Sequence, residues 1–161
     1  IAPSDRWRLG ASYRGKVIAK PSGDADFTQI PTGNADFDAG VAASLPPDQG
    51  VSTVLRFPAI WSAGAAWLPG RWKVEADAVF TEWSLFRDLP LSFDTTPAAN
   101  RAIVEDYRDT WGYRIGAEHR LASLTYRFGY YFEQAAAPAA SLTPLLPDEP
   151  RHGVTLGLGY A

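Results

Sequence analysis

The sequence has no cysteine, which excludes disulfide staples, cysteine-bound zinc and thiol chemistry. It also has no long uncharged run. The two longest, 57–70 and 134–147, are 14 residues each and both contain proline. A membrane helix needs about 20 apolar residues, so no helical span is expected. Charge of one sign is missing too: 15 basic against 18 acidic side chains leave −3, and no basic footprint for nucleic acid. With 13 prolines and 14 glycines spread along the chain, few uninterrupted windows approach helix length, and no helix is expected. What is abundant is apolar and aromatic surface, 46% and 13% of 161 residues, enough for one folded domain and too much for a disordered chain. The chain opens on Ile1 without an apolar leader, and is read as processed or as cut from a longer protein.

Catalytic and metal signatures are also wanting. His119 and His152 have no second histidine at a ligand spacing, and Asp24 with Asp26 lacks the rest of a calcium loop. Gly157 and Gly159 form a lone GxG with no helix after it, and no GxSxG occurs. No metal, no cofactor and no enzyme activity are expected.

The positive signal is a period of two. Trp7, Leu9, Ala11, Tyr13 and Val17 share one parity, against Arg8, Ser12, Arg14 and Lys16. Trp72, Val74, Ala76, Ala78 and Phe80 oppose Lys73, Glu75 and Asp77. Trp111, Tyr113, Ile115 and Ala117 oppose Arg114, Glu118 and Arg120, and Leu124, Tyr126, Phe128, Tyr130 and Phe132 oppose Arg127 and Glu133. Val154, Leu156, Leu158 and Tyr160 alternate with Gly153, Thr155, Gly157 and Gly159. All eleven charges in these windows fall on the non-apolar parity. A sixth run, 51–68, is interrupted by Pro58. Six strands are expected, at about 6–18, 50–68, 71–86, 106–120, 123–133 and 152–161, joined by long loops over 19–49, 87–105 and 134–151 and by tight turns.

Alternation alone does not say which face is wet. Three features favour lipid on the apolar face: runs longer than the globular average of about 5–6 residues, aromatics at run ends, and connectors alternating between tight and long, as periplasmic turns and outer loops do. Glu82 breaks the rule by lying on the apolar parity, at the loop end of its run. Six strands cannot close a single-chain barrel, because open edges cannot face hydrocarbon and such barrels begin at about eight strands. The expected class is therefore all-β, an antiparallel up-and-down transmembrane β-barrel of which this chain supplies a six-stranded part. A soluble lipocalin-like barrel with a lipid inside is the alternative, in which Trp7, Ala76, Ile115 and Phe128 point into a core. A structural or adhesive barrel fragment is a third.

Several words sharpen the first reading. Tyr13-Arg14-Gly15-Lys16-Val17 with Gly23 to Phe27, Leu55 to Gly64, Trp72 through Thr81-Glu82-Trp83-Ser84-Leu85-Phe86, Glu105 to Trp111, and Leu146-Pro147-Asp148-Glu149-Pro150-Arg151 followed by Gly157 to Tyr160 resemble, in order, motifs of FadL-type long-chain fatty acid transporters. The resemblance implies a fourteen-stranded barrel in the outer membrane of a Gram-negative bacterium, with this chain near strands seven to twelve. It implies passage of fatty acids or other hydrophobic compounds, such as toluene, by capture at the outer loops and movement through the lumen. Expected partners are outer-membrane lipid and a hydrophobic small molecule, and the whole protein is expected to be a monomer.

On this reading Phe27, Ile30, Phe37, Val41 and Leu45 are candidates for a capture groove, or pack their loop onto the barrel rim. Phe86 and Leu89, continued by Leu91 and Phe93, would line the route inward or form ordinary loop core. Arg56, Arg101, Glu105 and Arg108 are candidates to hold a carboxylate headgroup, or belong to an ion-pair network in the lumen. Ile103 stands where the family carries a ligand-associated lysine, and Arg101, two residues earlier, is its possible substitute.

Overall fold

The computed structural model describes residues 1–142 and 146–160. Positions 143–145 of the expected loop 134–151, and 161 of the expected last strand, lie outside the described residues. The strands are β1 (Trp7–Arg14), β2 (Val17–Ala19), β3 (Ser22–Ala25), β4 (Gln49–Thr53), β5 (Leu55–Phe57), β6 (Ile60–Trp67), β7 (Trp72–Thr81), β8 (Asp88–Phe93), β9 (Arg101–Val104), β10 (Thr110–Leu121), β11 (Leu124–Glu133) and β12 (Arg151–Tyr160), with one helix, α1 (Ala35–Ser44). They form two compact units. The first holds residues 1–17, 56–87 and 105–161, the second 18–55 and 88–104.

The first unit is a six-stranded antiparallel sheet in the order β1-β6-β7-β10-β11-β12. Its registers align the alternating apolar sets of the strands on one face, because a slip of one residue would move a strand's whole apolar set to the other side. Trp7 opposes Trp67 and Tyr13 opposes Trp61; Ile115 lies between Ala76 and Tyr130; Phe128 lies between Ala117 and Leu156. The other face carries the charges, with Arg114 opposite Asp77 and Glu118 opposite both Lys73 and Arg127.

The apolar face covers no core. The buried apolar side chains among the described residues are only Pro58, Ala59, Ala66 and Ala136, while Ile115 is 54%, Phe128 51% and Leu156 76% exposed. A soluble barrel would bury these first. The lipocalin-like alternative finds no support here: the face it requires to be a dry interior is exposed.

Two tight turns join neighbours on one side of this sheet. At 68–71 Gly70 takes φ +66°, where glycine has no steric cost. Ala122, between β10 and β11, takes φ +47°, where an L-residue with a Cβ is strained by about 1 kcal/mol. Ala122→Gly is therefore expected to raise refolded stability by about 0.5–1 kcal/mol in a urea titration.

The structure corrects several boundaries. The run expected over 50–68 is three strands, β4, β5 and β6; Pro58, which has no N–H to give to a ladder, lies in the gap between β5 and β6. The run over 6–18 breaks at Gly15-Lys16, leaving β1 and the short β2. The strand expected to reach Phe86 ends at Thr81, where a 3₁₀ turn (Trp83–Leu85) begins and Asp109 Oδ1 accepts the Ser84 amide at 2.8 Å. Glu82 thus lies outside the strand, and its Oε1 accepts the Trp61 indole N–H at 2.9 Å. The apolar-parity exception sits at the rim with a donor supplied.

The second unit overturns the expectation of structureless loops without helix. It is a four-stranded antiparallel sheet, β3-β4-β8-β9, together with α1. The helix starts because Asn34 caps it, its Oδ1 accepting the Phe37 amide at 3.1 Å. Asp38, one turn in, accepts the Thr32 hydroxyl at 2.8 Å and its amide at 3.0 Å, which ties the helix to the preceding loop. These Thr32 bonds hold the Asp38 carboxyl below its usual range.

Candidate functional site

Three arrangements hold functional side chains, and each belongs to one unit. The first is the charged face of the six-stranded sheet. Glu133 accepts from Arg114 at 3.2 Å and from Arg151 at 3.1 Å, and Arg114 reaches Asp77 at 3.8 Å. Glu118 accepts from Arg120 and Arg127, each at 2.7 Å. These pairs bridge β7, β10, β11 and β12 and fix which strands are neighbours. Individually, such exposed pairs contribute only about 0–1 kcal/mol. None of Arg101, Glu105 or Arg108 enters this network.

The second arrangement lies beyond the ends of β7 and β10. Trp83, Phe86 and Tyr107 meet edge to face, with ring centroids 5.2–6.5 Å apart. The chain comes here because the Glu105 and Asp106 amides both donate to the Arg87 carbonyl, at 2.8 and 2.9 Å, with Asp106 at φ +49°. Glu105 is the only charged residue that is fully buried among the described residues, at 2% exposure, and its Oε2 has no hydrogen-bond partner. Asp148 is held nearby by the Ala136 and Ala137 amides. Burial raises the Tyr107 hydroxyl above its usual pKa, and the negative charges of Glu105 and Asp148 push it further the same way. Of the predicted residues, this cluster gathers Phe86 and Glu105. It adds Trp83, whose place at the end of an aromatic-ended run suggested a wall anchor, and Tyr107, which no period singles out because it lies in a non-periodic segment.

The third is one face of the four-stranded sheet in the second unit. The pairs Leu89–Ile103, Leu91–Arg101 and Val51–Phe93 place Val51, Leu89, Leu91, Phe93 and Ile103 together, half-buried, with the exposed Arg101 beside Leu91. The Phe27 ring lies 6.1 Å from Phe93, held by its amide donating to Asp48 at 2.7 Å. Gln49, buried in the same sheet, clamps the loop after β8: its Oε1 accepts from the Thr95 and Thr96 amides, both at 3.0 Å, and its Nε2 donates to Thr96 Oγ1. Nothing in the sequence around Gln49 announces that role, since its partners are some 46 residues away.

The remaining predicted residues are placed less tightly. Phe37, Val41 and Leu45 lie along one side of α1 and line a shallow dent with Gly40 and Ser44. Ile30 is exposed and apart from that dent. Arg56 is half-buried in the middle of the three-residue β5, and Arg108 is exposed, its amide donating to the Ala136 carbonyl at 2.9 Å.

A long-stranded antiparallel sheet, greasy on one face and ion-paired on the other, with tight turns on one side and structured loops on the other, defines part of the wall of an outer-membrane β-barrel. The chain belongs to the family described as outer membrane protein transport protein (OMPP1/FadL/TodX), whose model matches residues 1–161. The family places it in the Gram-negative outer membrane. It is 25% identical over 98% of its length to a long-chain fatty acid transport protein of Escherichia coli, covering 35% of that protein. Its structure is similar to that of a Pseudomonas aeruginosa FadL homologue, with TM-score 0.78 and 26% identity over 98% of this chain and 37% of the other. It shares its fold with the Ralstonia pickettii toluene transporter TbuX, with TM-score 0.57 and 23% identity over 99% and 36%. The chain thus spans about a third of the length of these relatives.

Proposed function

We propose that the whole protein is an outer-membrane channel for passive uptake of long-chain fatty acids or other hydrophobic compounds, captured at the outer loops and passed through the lumen without covalent chemistry. We take it to be monomeric, with lipid around its apolar face. The observation that carries this reading is the outer sheet: Leu89, Leu91, Phe93, Val51 and Ile103 form an apolar surface, and Arg101 is the cation at its border. An acyl chain suits the first, and a carboxylate suits the second, since Arg offers paired donors to an anion.

A second reading rests on charge. The outer unit, residues 18–55 and 88–104, carries seven aspartates against Lys20 and Arg101, a field that disfavours an anion and is indifferent to a neutral hydrocarbon. Binding of oleate and of toluene to the purified whole protein separates the two. With a headgroup site, Arg101→Ala weakens oleate about tenfold, as loss of one charge-assisted pair predicts, and leaves toluene unchanged. Unchanged oleate binding rejects the headgroup role and leaves the hydrocarbon reading. Uptake of labelled oleate and toluene no faster than in a strain carrying the empty vector rejects both.

A further inference from the structure

One strand of the six-stranded sheet departs from the pattern of the others. On β1, β7, β10, β11 and β12 the face opposite the apolar one carries at least one charge. On β6 the same face reads Ile60, Ser62, Gly64 and Ala66, and Leu68 follows where its amide continues the ladder onto the Arg6 carbonyl. β1 sets Gly10 opposite Gly64 and Ser12 opposite Ser62, so two adjoining strands are small and uncharged side by side. A hollow of about 640 Å³ lies over them, bounded by Glu75, Asp77 and Arg114, which puts it on the charged side of the sheet. The charges at its border are already answered. Asp77 faces Arg114 at 3.8 Å, Glu75 pairs with Lys73 at 2.5 Å, and Arg8 turns its Nη1 onto the Ser4 and Trp7 carbonyls at 2.8 and 2.9 Å. Arg120, Arg127 and Arg151, farther along the same face, each meet an acid. Arg14 is the one cation left over among the described strand residues of this face. It lies opposite Ile60, one row beyond Ser12 toward the loops, exposed and with no acceptor for its guanidinium.

An uncharged lane contributes nothing to a wall whose neighbouring strands are joined by ion pairs, and the inside of such barrels is ordinarily polar. We propose that the lane along β1 and β6 is a binding station for a long-chain carboxylate inside the barrel: Arg14 holds the carboxylate at the loop end, and the acyl chain lies over Ser12, Ser62, Gly10, Gly64 and Ala66 toward Leu68. Charge complementarity selects the occupant. Arg14 offers paired donors to a carboxylate, and no acid of this chain takes them. A neutral hydrocarbon gains the apolar contact alone. Length agrees as well, since the Arg14–Ile60 and Arg8–Ala66 pairs are six residues apart on extended strands, about 20 Å, which a long acyl chain spans. Sites for small molecules are mostly apolar hollows in which a few placed polar groups set the orientation. Here the missing side chains supply the room, Ile60, Ala66 and Leu68 the apolar contact, and one guanidinium the orientation. The proposal deepens the uptake reading above and rests on it for the statement that a ligand reaches the lumen.

The test uses the whole protein in detergent, freed of any other reactive thiol, with Ser62→Cys as the reporter; this chain brings no cysteine of its own. The rate at which a charged, water-soluble thiol reagent modifies that cysteine is measured without ligand, with oleate and with methyl oleate. Oleate should slow modification about tenfold more than methyl oleate does, as one charge-assisted contact predicts, and Arg14→Gln should remove that difference. Thr155→Cys, on the same face but on β12, should react at one rate throughout. Heat-modifiable gel mobility shows which variants are folded, and Ser12→Cys, in the same row, replaces Ser62→Cys if the latter does not fold. No protection at the reporter, equal protection at Thr155→Cys, or a reporter that stays unreactive without ligand because protein covers the lane overturns the proposal. Uptake of labelled oleate by cells, measured apart, separates it from the reading it rests on. Uptake without protection rejects the lane and keeps the channel; protection with uptake no faster than the empty vector keeps the lane and rejects the channel.

Discussion

Placing an arginine at Ile115 is expected to destabilise the whole protein in lipid vesicles by about 2–4 kcal/mol, the cost of a cation on the lipid face near the midplane. Ile115 sits mid-strand in β10, between Ala76 and Tyr130, with half its surface open on a face that carries no charge. Val79, on the opposite face, lies between Ser62 and Gly112 and shares its side with Asp77 and Arg114. Val79→Arg therefore enters a wet, ion-paired surface and should change stability by less than about 1 kcal/mol. Urea titration of the refolded protein in vesicles reads both. The contrast is stronger than either number, because local strand propensity is the same for the two arginines and only the medium differs. Equal costs at Ile115 and Val79, or a larger cost at Val79, would remove the membrane wall and with it the channel.

The two-faced sheet could be read in advance because its information is local and repeated. In β7, the residues from Trp72 to Phe80 report the same parity five times over, and an error at one position is outvoted. Pairing then follows from tight turns, since Pro69-Gly70 and Ala122-Ser123 leave no choice of neighbour or register. The second unit has no such redundancy. Helix α1 contains Gly40, carries two aspartates in its first turn and shows no apolar period; what starts it is the Asn34 cap and what ties it down is Asp38 on Thr32. β8 and β9 are six and four residues long and owe their pairing to tertiary contacts.

The same distinction runs through the candidate site. Leu89 and Arg101 were identifiable as apolar and cationic residues in a loop, but their place on one sheet face depends on the β8–β9 register. Burial of Glu105 depends on two amides turning onto the Arg87 carbonyl, and a single charged letter does not encode that. Ile103, facing Leu89, adds apolar surface where the family resemblance led one to look for lysine, and Arg101 shares its face one pair along.

A glycine on the edge strand gives the second large expected effect. Tyr131 of β11 lies flat across Gly153 of β12, its direct partner, and a Cβ at Gly153 would run into the tyrosine ring. Gly153→Ala therefore forces Tyr131 out of its place, and overpacking of this kind costs about 1–3 kcal/mol. In a Tyr131→Ala background the same change should be close to neutral, since nothing is left to collide with and alanine is no worse than glycine in a strand. The difference between the two backgrounds is the coupling energy, again about 1–3 kcal/mol. Gly157 supplies the internal control. A Cβ there would meet Arg127 at 3.4 Å, an ordinary contact, so Gly157→Ala should cost little on the same strand and the same face. If Gly153→Ala were as mild as Gly157→Ala, Tyr131 would not be lying across β12, and the register of that last pair would have to be fixed by Glu133 with Arg151 alone.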